Sequence, residues 1–411
     1  MSAEKSETFY GLDLGTTKIC AIVAQMVGEN IKILGMGTYP STGLRKGIVV
    51  DIKKTSDCIV EAIAEAERAS GKDITSVFVG IAGGHVKSQN VPGKIAVSEN
   101  GVTDGDLKRL IENTNAKVVS PDREIIQAVA SKYSIDGQKP VSNPLGMRGQ
   151  KIEADIHIVS GQVADTKNLI DCIHRIGLDV NGIVLEQIAS SMAVLTETEK
   201  DLGVVLVDCG GGTTDIAVFG KGGILKYTQN ITLGGDNIDR DISHRFNTVS
   251  DMESRKVKED HGVALARMAR TAANVEIRCA DTTTRMISQR DIAEVIEPRM
   301  REILELARDE IPTAVAASSP TSKVVLTGGS LAMEGAVEMA KEIFGMEARL
   351  GVPVGIYGDN EEVCSPAFST GVGLIHYGVE SREHSGRIRV RDGKIFEKVH
   401  DWMNKWFAGY F

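Results

Sequence analysis

Two stretches of this chain are built to one plan: Gly11-Leu12-Asp13-Leu14-Gly15-Thr16-Thr17-Lys18 near the start, and Val207-Asp208-Cys209-Gly210-Gly211-Gly212-Thr213-Thr214-Asp215 in the middle. In each, an apolar strand runs to an Asp, a Gly/Thr turn follows, and a second apolar strand leaves it (Ile19 to Val23; Ile216 to Phe219). The repetition points to a duplicated α/β unit whose halves each offer a turn to one shared ligand. A tight Gly/Thr turn leaves backbone N–H groups pointing outward, and such a concavity binds anions without a side-chain cation. Glycine serves where the chain approaches phosphate closely or takes positive φ. This places Gly15, Gly210, Gly211 and Gly212 against phosphate, with Thr16, Thr17, Thr213 and Thr214 as hydroxyl donors and Lys18 as a point charge for a β- or γ-phosphate. A carboxylate at each strand end suits Mg2+, which prefers hard oxygen ligands, keeps waters and is often held through one or two carboxylates. Asp13 and Asp208 are those candidates, and the expected ligand is a nucleoside triphosphate. One such hairpin alone is equally an ordinary turn; the matched pair argues for a ligand.

A third element, Val324-Val325-Leu326-Thr327-Gly328-Gly329-Ser330, is a buried-type strand running into glycines before a helical stretch from Glu334 to Phe344. Ligands of doubly wound sheets sit at the carboxyl ends of strands, so Gly328 and Gly329 are placed flat against a nucleoside. A plain strand-to-helix turn is the alternative.

With 411 residues, 42% apolar and 25% charged, the chain can build two or more cores. Its net charge of −9 argues against nucleic acid as the main partner, because phosphate backbones are bound by surplus Lys and Arg. The six cysteines show no C-x-x-C pair and the histidines no cluster, so neither a zinc site nor a disulfide framework is expected, and a reducing cytoplasm fits. Residues 1–7 lack the apolar core of a signal peptide, and no run approaches a membrane span.

Along the chain, strands are expected at Phe9–Leu14, Ile19–Ala24 and Ile31–Gly37, then a helix from Asp51 to Ser70 with Gly71 as its stop, then a strand at Val77–Ala82. Gly83-Gly84-His85 opens a different region with a capped helix after Thr103 and strands near 125–134 and 152–159, which reads as an inserted subdomain. Helices follow at 164–177 and up to about Leu195, on either side of a strand at Val180–Leu185. Beyond the second hairpin come helices near 236–246 and, capped by Ser250, 251–260. Another spans 291–310, where Pro298 predicts a kink or a break. Residues 228–320 read as a lid on the second half, and a last helix runs from Ser365 to His376.

The final segment, 394–411, places Phe396, Val399, Trp402, Met403, Trp406, Phe407 and Tyr410 on one helical face, with Lys394, Lys398 and Lys405 on the other. Both tryptophans of the chain lie there. It follows a polar, Arg-rich stretch read as a linker. An aromatic-faced helix with flanking bases, held away from the body, suits an anionic lipid interface.

The hairpins, the strand-Gly-Gly loop and the duplicated halves resemble the actin-like ATPase superfamily. Ser76–Asn90, Val204–Phe219, Ile292–Arg299, Val325–Gly329 and Gly371–Gly378 together resemble the FtsA family of bacterial cell-division proteins, over nearly the whole chain. The resemblance implies an actin-like fold of two related lobes (ribonuclease-H-like units) with an inserted 1C subdomain in place of actin's 1B. Its expected parts are 1A at 8–84 and 163–200, 1C at 85–162, 2A at 201–227 and 321–378, 2B at 228–320, a linker at 379–393, and a membrane-targeting helix at 394–411. It implies ATP and Mg2+ between the lobes, with Lys258 and Glu259 beside ribose and adenine and Glu186 orienting an attacking water, and at most weak ATPase activity. It implies head-to-tail self-assembly, other division partners, and attachment of FtsZ to the cytoplasmic side of the inner membrane at the division site. FtsZ's C-terminal peptide is expected on 2B at Arg290, Glu294 and Arg299. Two alternatives stand beside it: a sugar-kinase-like phosphotransferase with Asp215 as its catalytic carboxylate, and a pilus-assembly relative of the same fold.

Overall fold

The computed structural model describes residues 7–98, 101–118, 120–141, 143–270, 272–318 and 323–385, and both expected hairpins form in it. β1 (Thr8–Leu14) pairs antiparallel with β2 (Lys18–Val27), and β3 (Asn30–Pro40) extends the meander. After the short pair β4 (Leu44–Arg45) and β5 (Ile48–Val49) comes α1 (Ile52–Ser70). Its limits follow from its residues: the Asp51 carboxylate accepts from the Lys54 N–H at the N-cap, and Gly71 ends it in the left-handed region. β6 (Ser76–Ile81) then lies parallel to β1.

Here the chain leaves the sheet to build a separate one from β7 (Lys87–Ala96), β8 (Arg123–Ile135) and β9 (Lys151–Gln162), ordered β7-β9-β8. α2 (Asp104–Asn115), started by a Thr103/Asp106 capping box, lays Leu107, Leu110 and Ile111 on this sheet, giving the insert its own core. The chain returns through α3 (Val163–His174), β10 (Asp179–Leu185), α4 (Glu186–Val194) and α5 (Glu197–Leu202).

The second lobe repeats the first. β11 (Val204–Cys209), β12 (Thr214–Gly220) and β13 (Ile224–Ile231) form an antiparallel meander. After it come α6 (Gly235–Phe246), α7 (Asp251–His261), the hairpin of β14 (Asn274–Arg278) and β15 (Thr284–Ser288), α8 (Gln289–Asp309) and α9 (Thr313–Ser318). The sheet resumes with β16 (Lys323–Thr327), then α10 (Ala336–Phe344), β17 (Glu347–Leu350), β18 (Ile356–Tyr357) and α11 (Ser369–Ser385). The two sheets are ordered β10-β6-β1-β2-β3-β18 and β13-β12-β11-β16-β17. Matched strand for strand, β3-β2-β1-β6-β10 and β13-β12-β11-β16-β17 share order and direction: two antiparallel pairings, then two parallel ones. β11, covered on both faces, is accordingly apolar almost throughout and wholly buried.

Several expectations need correction. Pro298 does not break the helix into two: α8 runs through it. Proline deprives the Glu294 carbonyl of its helical donor, but both residues are exposed, so that carbonyl is open to solvent rather than orphaned in the core. β7, β13, β14, β15 and β17 were not foreseen; β7 reads Lys-Ser-Gln-Asn-Val-Pro-Gly-Lys, and its partner β9 rather than its own pattern makes it a strand. β13 straddles the expected 227/228 boundary, so 228–231 belong to the lobe's central sheet. α11 continues to Ser385, and Val379 is part of the first lobe's core, so the beginning of the expected linker is helical. The remainder of that linker and the whole 394–411 segment, with Phe396, Val399, Trp402, Met403, Trp406, Phe407 and Tyr410, lie outside the described residues.

Candidate functional site

The two Gly/Thr turns meet face to face. A Cβ added at Gly211 would stand 1.8 Å from Thr17 Oγ1, and one at Gly212 2.5 Å from Thr16 Oγ1, so only glycine lets the turns approach this closely. Beside this contact opens a cleft of about 750 Å³. The first lobe lines it with Asp13, Gly15, Thr16, Thr17 and Lys18, the second with Asp208, Gly210, Gly211, Gly212, Thr213 and Asp215. Glu186, at the start of α4, lines it too, as do Lys258 and Glu259 of α7 and Gly328 and Gly329 after β16. Asp13 and Asp208, far apart in sequence, thus face one cavity. Thr214 does not: it is fully buried, and its hydroxyl donates to the Leu233 carbonyl at 2.9 Å. Alternation along β12 turns its side chain away from the cleft and Asp215 toward it.

The amides of Gly235 and Asp236 donate to the Gly210 and Gly211 carbonyls at 2.9 and 2.8 Å, and Ser330 Oγ donates to the Gly210 carbonyl at 2.9 Å. The Gly210 N–H closes the turn on the Thr213 carbonyl at 3.0 Å, so the N–H groups of Gly211 and Gly212 are the turn's candidates for an anion in the cleft. Gly328 has φ 86°, and an added Cβ would stand 2.4 Å from Asp208 Oδ1, so a side chain there would push into the carboxylate.

Charge in the cleft is lopsided. Asp13, Glu186, Asp208, Asp215, Glu259, Glu334 and Glu362 line it against Lys18, Arg255 and Lys258. The last two are committed: Lys258 Nζ lies 2.7 Å from Asp239 Oδ1 and 3.2 Å from the Gly235 carbonyl, and Arg255 pairs with Asp236 and Asp239. Lys18 alone stands among the turns, its ammonium 3.2 Å from the centroid of the Phe368 ring. Burial lowers its pKa, opposed by Asp13 among other acids.

The carboxylates respond to this setting. Burial pushes Asp13 up to about 7, with Lys18 pulling down and Asp208 pushing further up. Burial raises Asp208 to about 6 against the hydroxyls of Ser190 and Thr370, which donate to its Oδ2. Asp215 is raised to about 8, again mainly by burial, although Asn230 Nδ2 donates to its Oδ1 at 2.9 Å. Glu186 is held well above its ordinary range by burial and then by Asp13, Asp215 and Asp208. Such a cluster favours either protons or a cation. Among the described residues no three His, Cys, Asp or Glu converge closely enough to hold a metal directly. An ion that keeps its waters and takes oxygens from a polyphosphate fits this donor set; a dehydrated protein-bound ion does not.

Three expected peptide contacts do not share a face. Arg290 and Glu294 pair with each other at 3.2 Å on the exposed side of α8. Arg299, nine positions from Arg290, projects about 180° around the helix; it is bidentate to Asp241 of α6 at 2.7 and 3.2 Å and also pairs with Glu302. It ties α6 to α8.

Sequence reasoning missed Ser190, Thr370, Asn230 and Phe368. Each lies on a separate element that only folding brings to the hairpins; Asn230, opposite Asp215 in the β12–β13 ladder, would have followed had β13 been recognised.

Two family models match: "SHS2 domain inserted in FTSA" over residues 83–160 and "Cell division protein FtsA" over residues 205–373. Cell division protein FtsA of Pseudomonas aeruginosa is 40% identical over 417 residues, covering 100% of both chains. That of Neisseria meningitidis is 36% identical, with 96% of this chain and 98% of the relative covered; that of Escherichia coli K12 is 34% identical, with 97% of each covered. Among solved structures, a PilM-PilN type IV pilus biogenesis complex matches at TM-score 0.67 and 15% identity, over 90% of this chain and 98% of the other. MreB5 of Spiroplasma citri bound to ADP matches at TM-score 0.53 and 14% identity, over 91% and 98%. These distant likenesses bear on the fold alone.

Proposed function

This chain belongs to the FtsA family of cell division proteins and has its actin-like fold, and on that premise we propose that it binds ATP with Mg2+ between its lobes and tethers FtsZ filaments to the cytoplasmic face of the inner membrane. The observation that carries the nucleotide reading is the contact of Thr16 and Thr17 with Gly211 and Gly212 beside four carboxylates, Asp13, Glu186, Asp208 and Asp215. The turn amides and Lys18 take the phosphates, Asp13 and Asp208 face the waters of the metal, and Gly328 and Gly329 with Glu259 border the nucleoside. When bound, Mg2+ supplies the positive charge that this acidic cleft lacks. Burial first, and then Asp13, Asp215 and Asp208, disfavour the charged form of Glu186, which makes it a weak orienter of water. ATP therefore acts chiefly as a ligand that sets the conformation for head-to-tail self-assembly, with slow turnover.

FtsZ's C-terminal peptide docks on the exposed side of α8 at Arg290 and Glu294, while Arg299 acts through the α6–α8 packing it secures. The 394–411 segment lays its aromatic face in the lipid interface; no described helix is long and apolar enough to cross a membrane. Further division proteins join the same assembly. The test is co-sedimentation of FtsZ with anionic vesicles. FtsZ should pellet only when this chain is present, and pelleting that survives deletion of 394–411 refutes the tether.

A further inference from the structure

Strand β13 serves two places at once. Asn230 stands opposite Asp215 in the β12–β13 ladder and donates to its carboxylate at 2.9 Å, at the wall of the cleft. Thr228, one pleat away and on the same face of the sheet, about 7 Å along the strand, puts its Oγ1 3.0 Å from Nε2 of His157 in the insert. Between them the Gln229 carbonyl accepts from Gln187 Nε2 at 3.1 Å, next to Glu186 on α4. Three successive residues thus contact the insert, the first lobe and the cleft.

The insert meets β13 with a matched set. Asn90 and His157 are direct cross-strand partners on β7 and β9, and His157 Nδ1 lies 2.8 Å from Asn90 Oδ1. Asn90 Nδ2 donates to the Lys226 carbonyl at 2.9 Å, and Ser88 Oγ donates to the Thr228 carbonyl at 2.5 Å. Because the Asn90 amide N–H is spent on Lys226, its oxygen is the acceptor; His157 carries its proton on Nδ1, and Nε2 accepts from the Thr228 hydroxyl. His157 is 1% exposed and Thr228 2%. His157 and Thr228 are the buried centre of this network, with Ser88 half-buried and Asn90 exposed at its rim, and a slide of β13 against the insert would break several bonds together. The insert hangs from the first lobe through β6 and α3, whereas β13 is the edge of the second lobe's sheet.

We propose that β13 is the lever through which occupancy of the cleft sets the placement of the inserted domain: a bound ligand that moves Asp215 moves Asn230, and with it the Lys226 and Thr228 groups that Ser88, Asn90 and His157 grip. The inference rests on the nucleotide reading of the cleft. The experiment is hydrogen exchange by mass spectrometry on the full chain, with and without Mg-ATP, alongside a direct Mg-ATP binding titration. In the wild type, Mg-ATP changes the exchange of β7 and β9 amides by about fivefold or more, the low end of ordinary site coupling. Thr228→Val, which removes the hydroxyl from His157 without changing side-chain size, binds Mg-ATP as before but loses the response in the insert. Ser88→Ala weakens the response in the same direction and serves if Thr228→Val fails to fold. Binding without any change in β7 and β9, or a response undiminished in both variants, overturns the lever. Absence of Mg-ATP binding overturns the cleft reading and the lever with it.

Discussion

On the proposed reading of the cleft, Asp13 and Asp208 make the affinity for magnesium-bound nucleotide depend on pH. With nothing bound, burial pushes Asp13 up to about 7 and Asp208 up to about 6. A hydrated cation is attracted to the ionised forms, so a proton held by either group must leave first. Between pH 6 and 8 the ionised share of Asp13 climbs from about one tenth to about nine tenths, and that of Asp208 from about one half to nearly all. If the two act independently, the combined gain is about 20-fold, or about 1.8 kcal/mol. The same raised values mean that the empty protein loses stability as pH climbs from the unfolded carboxylate range through the folded values near 6 and 7; bound cation restores it. Calorimetric titration at saturating Mg2+ keeps the nucleotide as its magnesium complex, and two buffers of different ionisation enthalpy count the protons released. Affinity should rise about 20-fold from pH 6 to 8 in the wild type and only about twofold in Asp13→Asn, where Asp208 is the remaining carboxylate assigned to the ion. A flat profile, or a slope untouched by Asp13→Asn, would refute the claim that these carboxylates face the ion.

Gly211→Ala should weaken nucleotide binding by about tenfold or more, because its methyl would overlap Thr17 Oγ1 and wedge the turns apart; an unchanged dissociation constant by calorimetry sinks this. Arg299→Ala should lower stability to urea by about 1 kcal/mol, given a bidentate but partly exposed pair with Asp241, while Arg290→Ala should leave stability alone and weaken binding of the FtsZ peptide. The reverse pattern would exchange their assigned roles. Trp402 and Trp406 are the only tryptophans, so anionic vesicles should shift the emission to the blue and Trp406→Glu should leave the chain in the supernatant; an unmoved spectrum counts against the lipid helix.

The parts of the site legible beforehand were those whose chemistry is local. A strand, an Asp and a glycine turn declare themselves within a dozen residues, so Asp13, Asp208 and the turn glycines could be named, and their duplication pointed to the one cleft they share. Thr214 shows the limit: one step of strand register decides whether a hydroxyl faces a ligand or the core, and the composition of a turn does not state the register. Arg299 shows another, since a helical charge is free or bound according to the neighbouring helix, here Asp241 of α6. β7 and β13 were illegible because edge strands with polar faces owe their conformation to the partner they pair with.

The order of amino acids alone determined two lobes, their hairpins, the helix cap at Thr103 and the helix stop at Gly71, because each rests on interactions among residues close in the chain. Only the tertiary structure decided that the turns touch, that four carboxylates share one cavity and lose their ordinary acidity there, and that β13 joins cleft to insert. Those properties arise from burial and from contacts between elements hundreds of residues apart, and desolvation belongs to the folded neighbourhood rather than to any residue by itself.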